Sequence, residues 1–173
     1  HYAGRDSLDP PAIWFPYKWV RSASGMIEIS DERFGPFNGQ LLVGDFQNAV
    51  ITRVQMEKVD GQWQGAVWPF LKGFQSGVNR MVMGNDGSLY VGGGKVKAWA
   101  ANAPAFHSLE RVSFKGKIPF EVSSVKALTD GFELSFTQPV DKESAKAIDG
   151  FDVWQYKYKF HKTYGSPEFD HEG

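Results

Sequence analysis

The sequence predicts an all-β protein, and three observations carry that prediction. Aromatic side chains make up 15% of the 173 residues, with Phe the commonest at 14, and aromatic and β-branched residues suit pleated, half-buried surfaces. Apolar runs are short and end at Gly, Asn or Asp, which is the punctuation of strands and tight turns. Landmark segments recur with a period near 50 residues. Helix signals are confined to Asp141–Ala147, where Asp141 is placed to cap one or two turns.

Taken in order, Met26–Ile29, Gln40–Gly44, Val50–Val54 and Gln62–Phe70 read as four consecutive strands. Val59-Asp60-Gly61-Gln62 supplies an Asp-Gly hairpin turn between the last two. The pattern then repeats. Ser24-Gly25-Met26 returns as Ser76-Gly77-Val78, 52 residues on, and Gly39-Gln40-Leu41-Leu42-Val43-Gly44 returns as Gly87-Ser88-Leu89-Tyr90-Val91-Gly92, 48 residues on. Leu109-Glu110-Arg111-Val112 echoes Ile51-Thr52-Arg53-Val54. Four strands per unit at this period is the pattern of β-propeller blades, each of which buries its faces against neighbours. The alternative is two unrelated meanders sharing a Gly-x-Leu-x-Val-Gly strand. Met26–Ser30 and Val78–Met83 are then expected to be equivalent inner strands, with Gln40–Gly44 and Ser88–Gly92 as second strands.

Beyond Lys117 the pattern changes. Val122–Lys126, Gly131–Phe136 and Phe151–Tyr156 read as strands of an Ig-like sandwich. Thr129-Asp130-Gly131 is a tight turn, and Pro139 ends the second strand because it has no N–H for a ladder. The expected organisation is therefore a partial propeller of about two four-stranded blades over residues 1–117, then incomplete sandwich strands over 118–173. The boundary falls between Phe114 and Phe120. Both ends read as cuts through a longer protein.

Charge and composition exclude several partners. With 19 basic and 20 acidic residues the net charge is −1, so neither nucleic acid nor an anionic membrane is an expected partner. The absence of Cys removes disulfides, thiolate zinc sites and covalent c-type haem from this segment. No apolar run approaches the ~18 residues of a membrane span, and no signal peptide is visible.

The segments Pro11–Trp14, Ser22–Met26, Phe37–Gly44, Val50–Val54, Gly77–Val82 and Asn85–Val91 together resemble the pyrroloquinoline quinone (PQQ)-dependent glucose and sorbosone dehydrogenases, six-bladed propellers. The resemblance covers roughly residues 11–114. Phe74–Arg80, Gly116–Glu121, Asp130–Leu134 and Tyr164–Glu168 are similar to large bacterial proteins that join such a propeller to Ig-like and cytochrome c modules. It implies an exported, periplasmic or extracellular protein, with the remaining blades of the parent chain, a sugar and a cytochrome c module as partners. It also implies PQQ as cofactor and oxidoreductase chemistry, in which a base removes a hydroxyl proton while hydride passes to the quinone.

A quinone bearing three carboxylates needs fixed cations, and bidentate arginine suits them best. The family carries two such arginines one residue apart on the inner strand. Arg80 matches the second, whereas Val78 stands at the first. Gln47 stands where the family has a cofactor-contacting lysine, and the family's histidine base lies outside this segment. Arg80 is thus the one residue carried over as a cofactor contact. Its alternative is structural, closing a loop or pairing with Asp45. No catalytic or metal-binding residue is assigned: Asp45 reads as a turn cap or a metal ligand, and His1, His107, His161 and His171 have no close metal spacing. Gly92-Gly93-Gly94-Lys95 lacks the spacing of a phosphate loop and reads as a turn after the second strand. The alternating stripe Tyr156–His161 reads as a sheet edge or a carbohydrate platform. Two functions follow: a segment of a quinone-dependent sugar dehydrogenase with a degenerate cofactor site, or a non-catalytic binding or scaffold propeller.

Overall fold

The computed structural model describes residues 11–97, 99–100, 102–151, 156, 158 and 167–170. The fold is all-β, with three antiparallel sheets. The first is a four-stranded meander of β1 (Ala23–Glu28), β2 (Leu41–Asp45), β3 (Val50–Val59) and β4 (Gln62–Lys72). The second holds β5 (Gly77–Met83), β6 (Leu89–Gly94) and β7 (His107–Val112). The third is the hairpin β8 (Val122–Leu128) and β9 (Gly131–Phe136). One short helix, α1 (Lys142–Lys146), follows, and Asp141 caps it by accepting from the Ser144 N–H.

The strand turns form where local chemistry puts them. Asp60 and Gly61 have φ of 48° and 82°, the paired left-handed conformation of a two-residue hairpin whose twist matches its strands. At the β5–β6 turn, Gly87 N–H donates to Gly84 O at 3.0 Å and the Asp86 carboxylate accepts from Ser88 N–H at 3.1 Å. Asp45 is fully buried, yet its carboxylate accepts from the N–H groups of Arg21, Ser22 and Asn48. It is the turn cap expected there, and it is not paired with Arg80.

Two sequence expectations need correction. Gly92-Gly93-Gly94 continues β6 rather than turning, pairing with Leu109, Ser108 and His107. Gly93 packs so tightly against Gly77 O and Ser76 Oγ that a Cβ would overlap both, so side-chain absence here serves close sheet packing. The second sheet has three strands rather than four among the described residues. After β7 the chain leaves through Gly116, at φ 81°, and Pro119, which cannot donate to a ladder. The expected strand Phe151–Tyr156 lies mostly outside the described residues.

The first two sheets pack face to face through β1 and β2 against β5. Leu42, Ile51, Phe74, Val78, Leu89 and Val91 form the centre of this core, flanked by Phe37, Met81 and Met83. Ser24 Oγ reaches across to donate to Val78 O at 2.6 Å. Gly44 has no Cβ because the Val78 side chain fills that space. The repeat in sequence is therefore a repeat in space: β2 and β6, which carry the recurring Gly-x-Leu-x-Val-Gly segments, are each the second strand of a sheet, and they contribute Leu42, Leu89 and Val91 to one core.

The hairpin is attached differently. Arg53, Gln55 and Glu57 alternate along one face of β3. Arg53 Nη2 donates to Val122 O at 2.7 Å, Gln55 Oε1 accepts from Val125 N–H at 3.0 Å, and Glu57 Oε1 accepts from Ala127 N–H at 3.1 Å. A ladder of side chains thus satisfies the edge of β8 that β9 leaves unpaired, which is one way to protect a strand edge.

Candidate functional site

Arg80, the residue carried over as a cofactor contact, and Val78, where the resemblance implies a second arginine, do not share a face of the sheet. β5 pairs with β6 through Val78↔Gly93 and then Arg80↔Gly92, with the register slipping between them. This is a β-bulge, in which one extra residue changes which side chains share a face. Val78, Met81 and Met83 consequently face the inter-sheet core, while Asn79, Arg80 and Val82 are exposed. Val78 has 0% exposure. Arg80 Nη1 turns back to its neighbour, donating to Asn79 O and Asn79 Oδ1, both at 2.9 Å. Gln47 is half-buried in the turn after β2, beside Asn48. His107 is exposed on β7, and the other three histidines lie outside the described residues. Among the described residues no group of three or more acidic or histidine side chains is placed to hold a metal ion.

The outward face of the second sheet carries Arg80 with Gly92 and Leu109 across the register, then Val82 with Tyr90 and Arg111. Leu109 is 78% exposed and Val82 58%. The opposite face of this same sheet is packed on the first.

Sequence reasoning missed the most unusual polar residue, Arg53, which it used only as a landmark of the repeat. Its side chain has 0% exposure. The guanidinium lies 3.8 Å from the Phe37 ring centroid and 4.3 Å from that of Trp68. It donates to Gln40 Oε1 at 2.5 Å as well as to Val122 O, with Glu121 Oε2 at 3.6 Å. Nε has no hydrogen-bond partner among the described residues. Burial pushes this guanidinium down to about 10, against a smaller upward pull from Glu121, so it remains charged at neutral pH. Its ring contacts and carbonyl acceptors offset the cost of burying that charge. The signal available in sequence was an Arg on a β-run with Trp68 fifteen residues on; its partners at 121–123 are too distant for any local pattern.

A concavity lies at the end of the first sheet where β3 begins and β4 ends. A groove of about 360 Å³ is lined by Lys18, Trp19, Asn48, Val50, Ile51, Thr52, Pro69, Phe70, Leu71 and Lys72. Its shape follows from a bulge: Ile51 pairs with Leu71 but Thr52 with Pro69, leaving Phe70 as the extra residue. Pro69 has no N–H for the ladder, and a bulge is where proline is tolerated.

Comparison of the chain with protein-family models, curated proteins and solved structures finds no match.

Proposed function

We propose that the chain is a non-catalytic stacking segment of an exported propeller-like protein, one that resembles the PQQ-dependent sugar dehydrogenases in its repeat but has lost their cofactor site. The observation that carries this reading is the pair of opposed faces on the second sheet: one sealed against β1 and β2, the other open with Leu109 and Val82 exposed. A sheet face that leaves Leu109 and Val82 exposed beside Tyr90, with no other sheet on it among the described residues, fits an interaction surface, and in a repeat architecture the natural occupant is the next unit. On this reading further blades of the parent chain cover the face, the β8–β9 hairpin opens an Ig-like module, and the sugar and cytochrome c partners belong to the parent protein. The burial of Val78 and the bulge at Asn79 support loss of quinone binding. The enzyme reading retains one favourable observation: Arg80 is exposed and bonds only within its own turn of chain among the described residues.

The chain contains no cysteine, so Leu109→Cys introduces a unique thiol in this segment. Maleimide labelling at low concentration is expected to proceed at a free-thiol rate in the isolated segment. In the full gene product it is expected to slow about tenfold or more, while a Glu133→Cys control labels equally in both. Equal Leu109→Cys rates in the two proteins would reject the stacking reading.

A further inference from the structure

We infer that the groove between the 16–20 turn and the bulged end of the β3–β4 ladder binds a small amphiphilic anion, with a flat apolar body and one carboxylate or sulfonate. This inference does not rest on the stacking reading. It concerns the end of the first sheet, away from the open face of the second.

The walls are set in advance. Trp19 N–H and Val20 N–H both donate to Pro16 O, at 2.8 and 3.1 Å, closing the turn that carries Lys18 and Trp19. Asn48 Nδ2 donates to Trp19 O at 3.0 Å and its Oδ1 accepts from Asn102 Nδ2 at 2.9 Å. These two bonds hold the Trp19 wall in place, using one N–H donor and one acceptor site of the Asn48 amide. On the far side Phe70 is held edge-to-face against Phe37 at 5.7 Å. A volume of about 360 Å³ falls in the range of small-molecule sites, roughly 300–1,000 Å³.

The charge pattern selects the ligand. The lining residues include Lys18 and Lys72 and no Asp or Glu. Neither ammonium has a carboxylate partner among the described residues; Lys18 Nζ lies instead over the Trp19 ring, 5.6 Å from its centroid. Both lysines are exposed, so their charges are screened by water and salt. They therefore orient a ligand and add modest affinity, while Trp19, Val50, Pro69 and Phe70 supply the apolar contact. A small inorganic anion would forgo that contact, and a neutral hydrocarbon would forgo the charges. A polyanion would find only two cations.

The test is titration of the intact chain with naphthalene-2-carboxylate at low salt, read by the Trp19 indole N–H resonance, beside the neutral isostere 2-naphthamide. Saturable one-to-one binding is expected, with the carboxylate about tenfold tighter than the amide. That preference should shrink with added salt and vanish in Lys18→Glu/Lys72→Glu. These exposed replacements are expected to leave the thermal transition unchanged. Leu109→Lys, on the open face of the second sheet, should leave binding intact. Absence of saturable binding, equal affinity for acid and amide, or loss of binding in Leu109→Lys would each overturn the assignment.

Discussion

Val78 and Arg80 stand two residues apart on β5 yet face opposite sides of the sheet, because the extra residue of a bulge falls between them. In a regular strand they would share a face. The slip turns Met81 and Met83 into the core beside Val78 and sends Arg80 to solvent. Two cations at these positions could not close on one anion from the same side. An arginine at 78 would also place its charge in the middle of an apolar interface, at a cost of several kcal/mol.

The closeness of Gly44 and Val78 yields a stability prediction. A Cβ at position 44 would overlap Val78 Cγ1, so Gly44→Ala is expected to destabilise the fold by about 1–3 kcal/mol through overpacking. Val78→Ala removes the obstacle at the expense of a cavity. The double variant should be more stable than the sum of the two single losses by at least about 0.5 kcal/mol. Urea unfolding of the four proteins measures this coupling; strict additivity would show that the two side chains do not compete for the same space.

Arg53 joins the first sheet to the hairpin. Arg53→Ala would leave Gln40 Oε1 and Val122 O without their donor and a cavity beside Phe37 and Trp68, and is expected to cost about 2–5 kcal/mol. Arg53→Lys keeps the charge but not the planar fork, so most of the loss should persist. Amide exchange gives the local readout: the N–H groups of Val125 and Ala127, bonded to Gln55 and Glu57, should lose protection first. An unchanged urea midpoint with unchanged exchange at these amides would contradict the docking role.

The titrating groups give predictions at both ends of the pH scale. Accepting first from the Ser144 N–H holds the Asp141 carboxyl below its ordinary 3.8. A carboxyl depressed by folding contributes stability above its unfolded value and loses it as pH falls through the lower folded value. The helix cap should therefore persist as pH falls to the ordinary 3.8 and fail only as pH drops through the lower folded value, as a carboxyl-carbon titration by NMR would show. Tyr156 has the opposite sign. Burial first, then Tyr158 and Glu168, push its phenol up from 10.0 to about 12. Its stabilising contribution is complete below pH 10 and is lost as pH rises toward 12. Phenolate absorbance in the wild type minus that in Tyr156→Phe should show ionisation displaced to that range; ionisation near 10 would contradict the burial of this ring.

What could be read in the sequence was local. The Asp60-Gly61 hairpin, the β8–β9 turn and the Asp141 cap each depend on side chains within a few residues of the backbone they serve, and all three formed as expected. Gly92–Gly94 misled because glycine is ambiguous: it marks turns, but it also lets strands approach closely, and only the tertiary packing against Gly77 O and Ser76 Oγ decides which. The bulge on β5 was legible only as a break in alternation, Val78 followed by Met81 and Met83 rather than by residues 80 and 82. Arg53 was not legible, because its acceptors at Val122 and Ser123 lie about 70 residues away. The groove depends on a slip in the β3–β4 register that Pro69 permits but does not by itself announce.

The measurement that tests the account most directly is titration of the full gene product, rather than the isolated segment, with pyrroloquinoline quinone in the presence of Ca²⁺, for the wild type and a stably folded Arg80→Ala variant. With Val78 where the resemblance implies a second arginine, each missing charge-assisted hydrogen bond weakens binding by roughly 1.5–3 kcal/mol. The account then predicts no stoichiometric complex, no dye-linked sugar oxidation and no difference between the two proteins. Tight one-to-one binding by the wild type, with turnover abolished in Arg80→Ala, would contradict it and restore the enzyme reading.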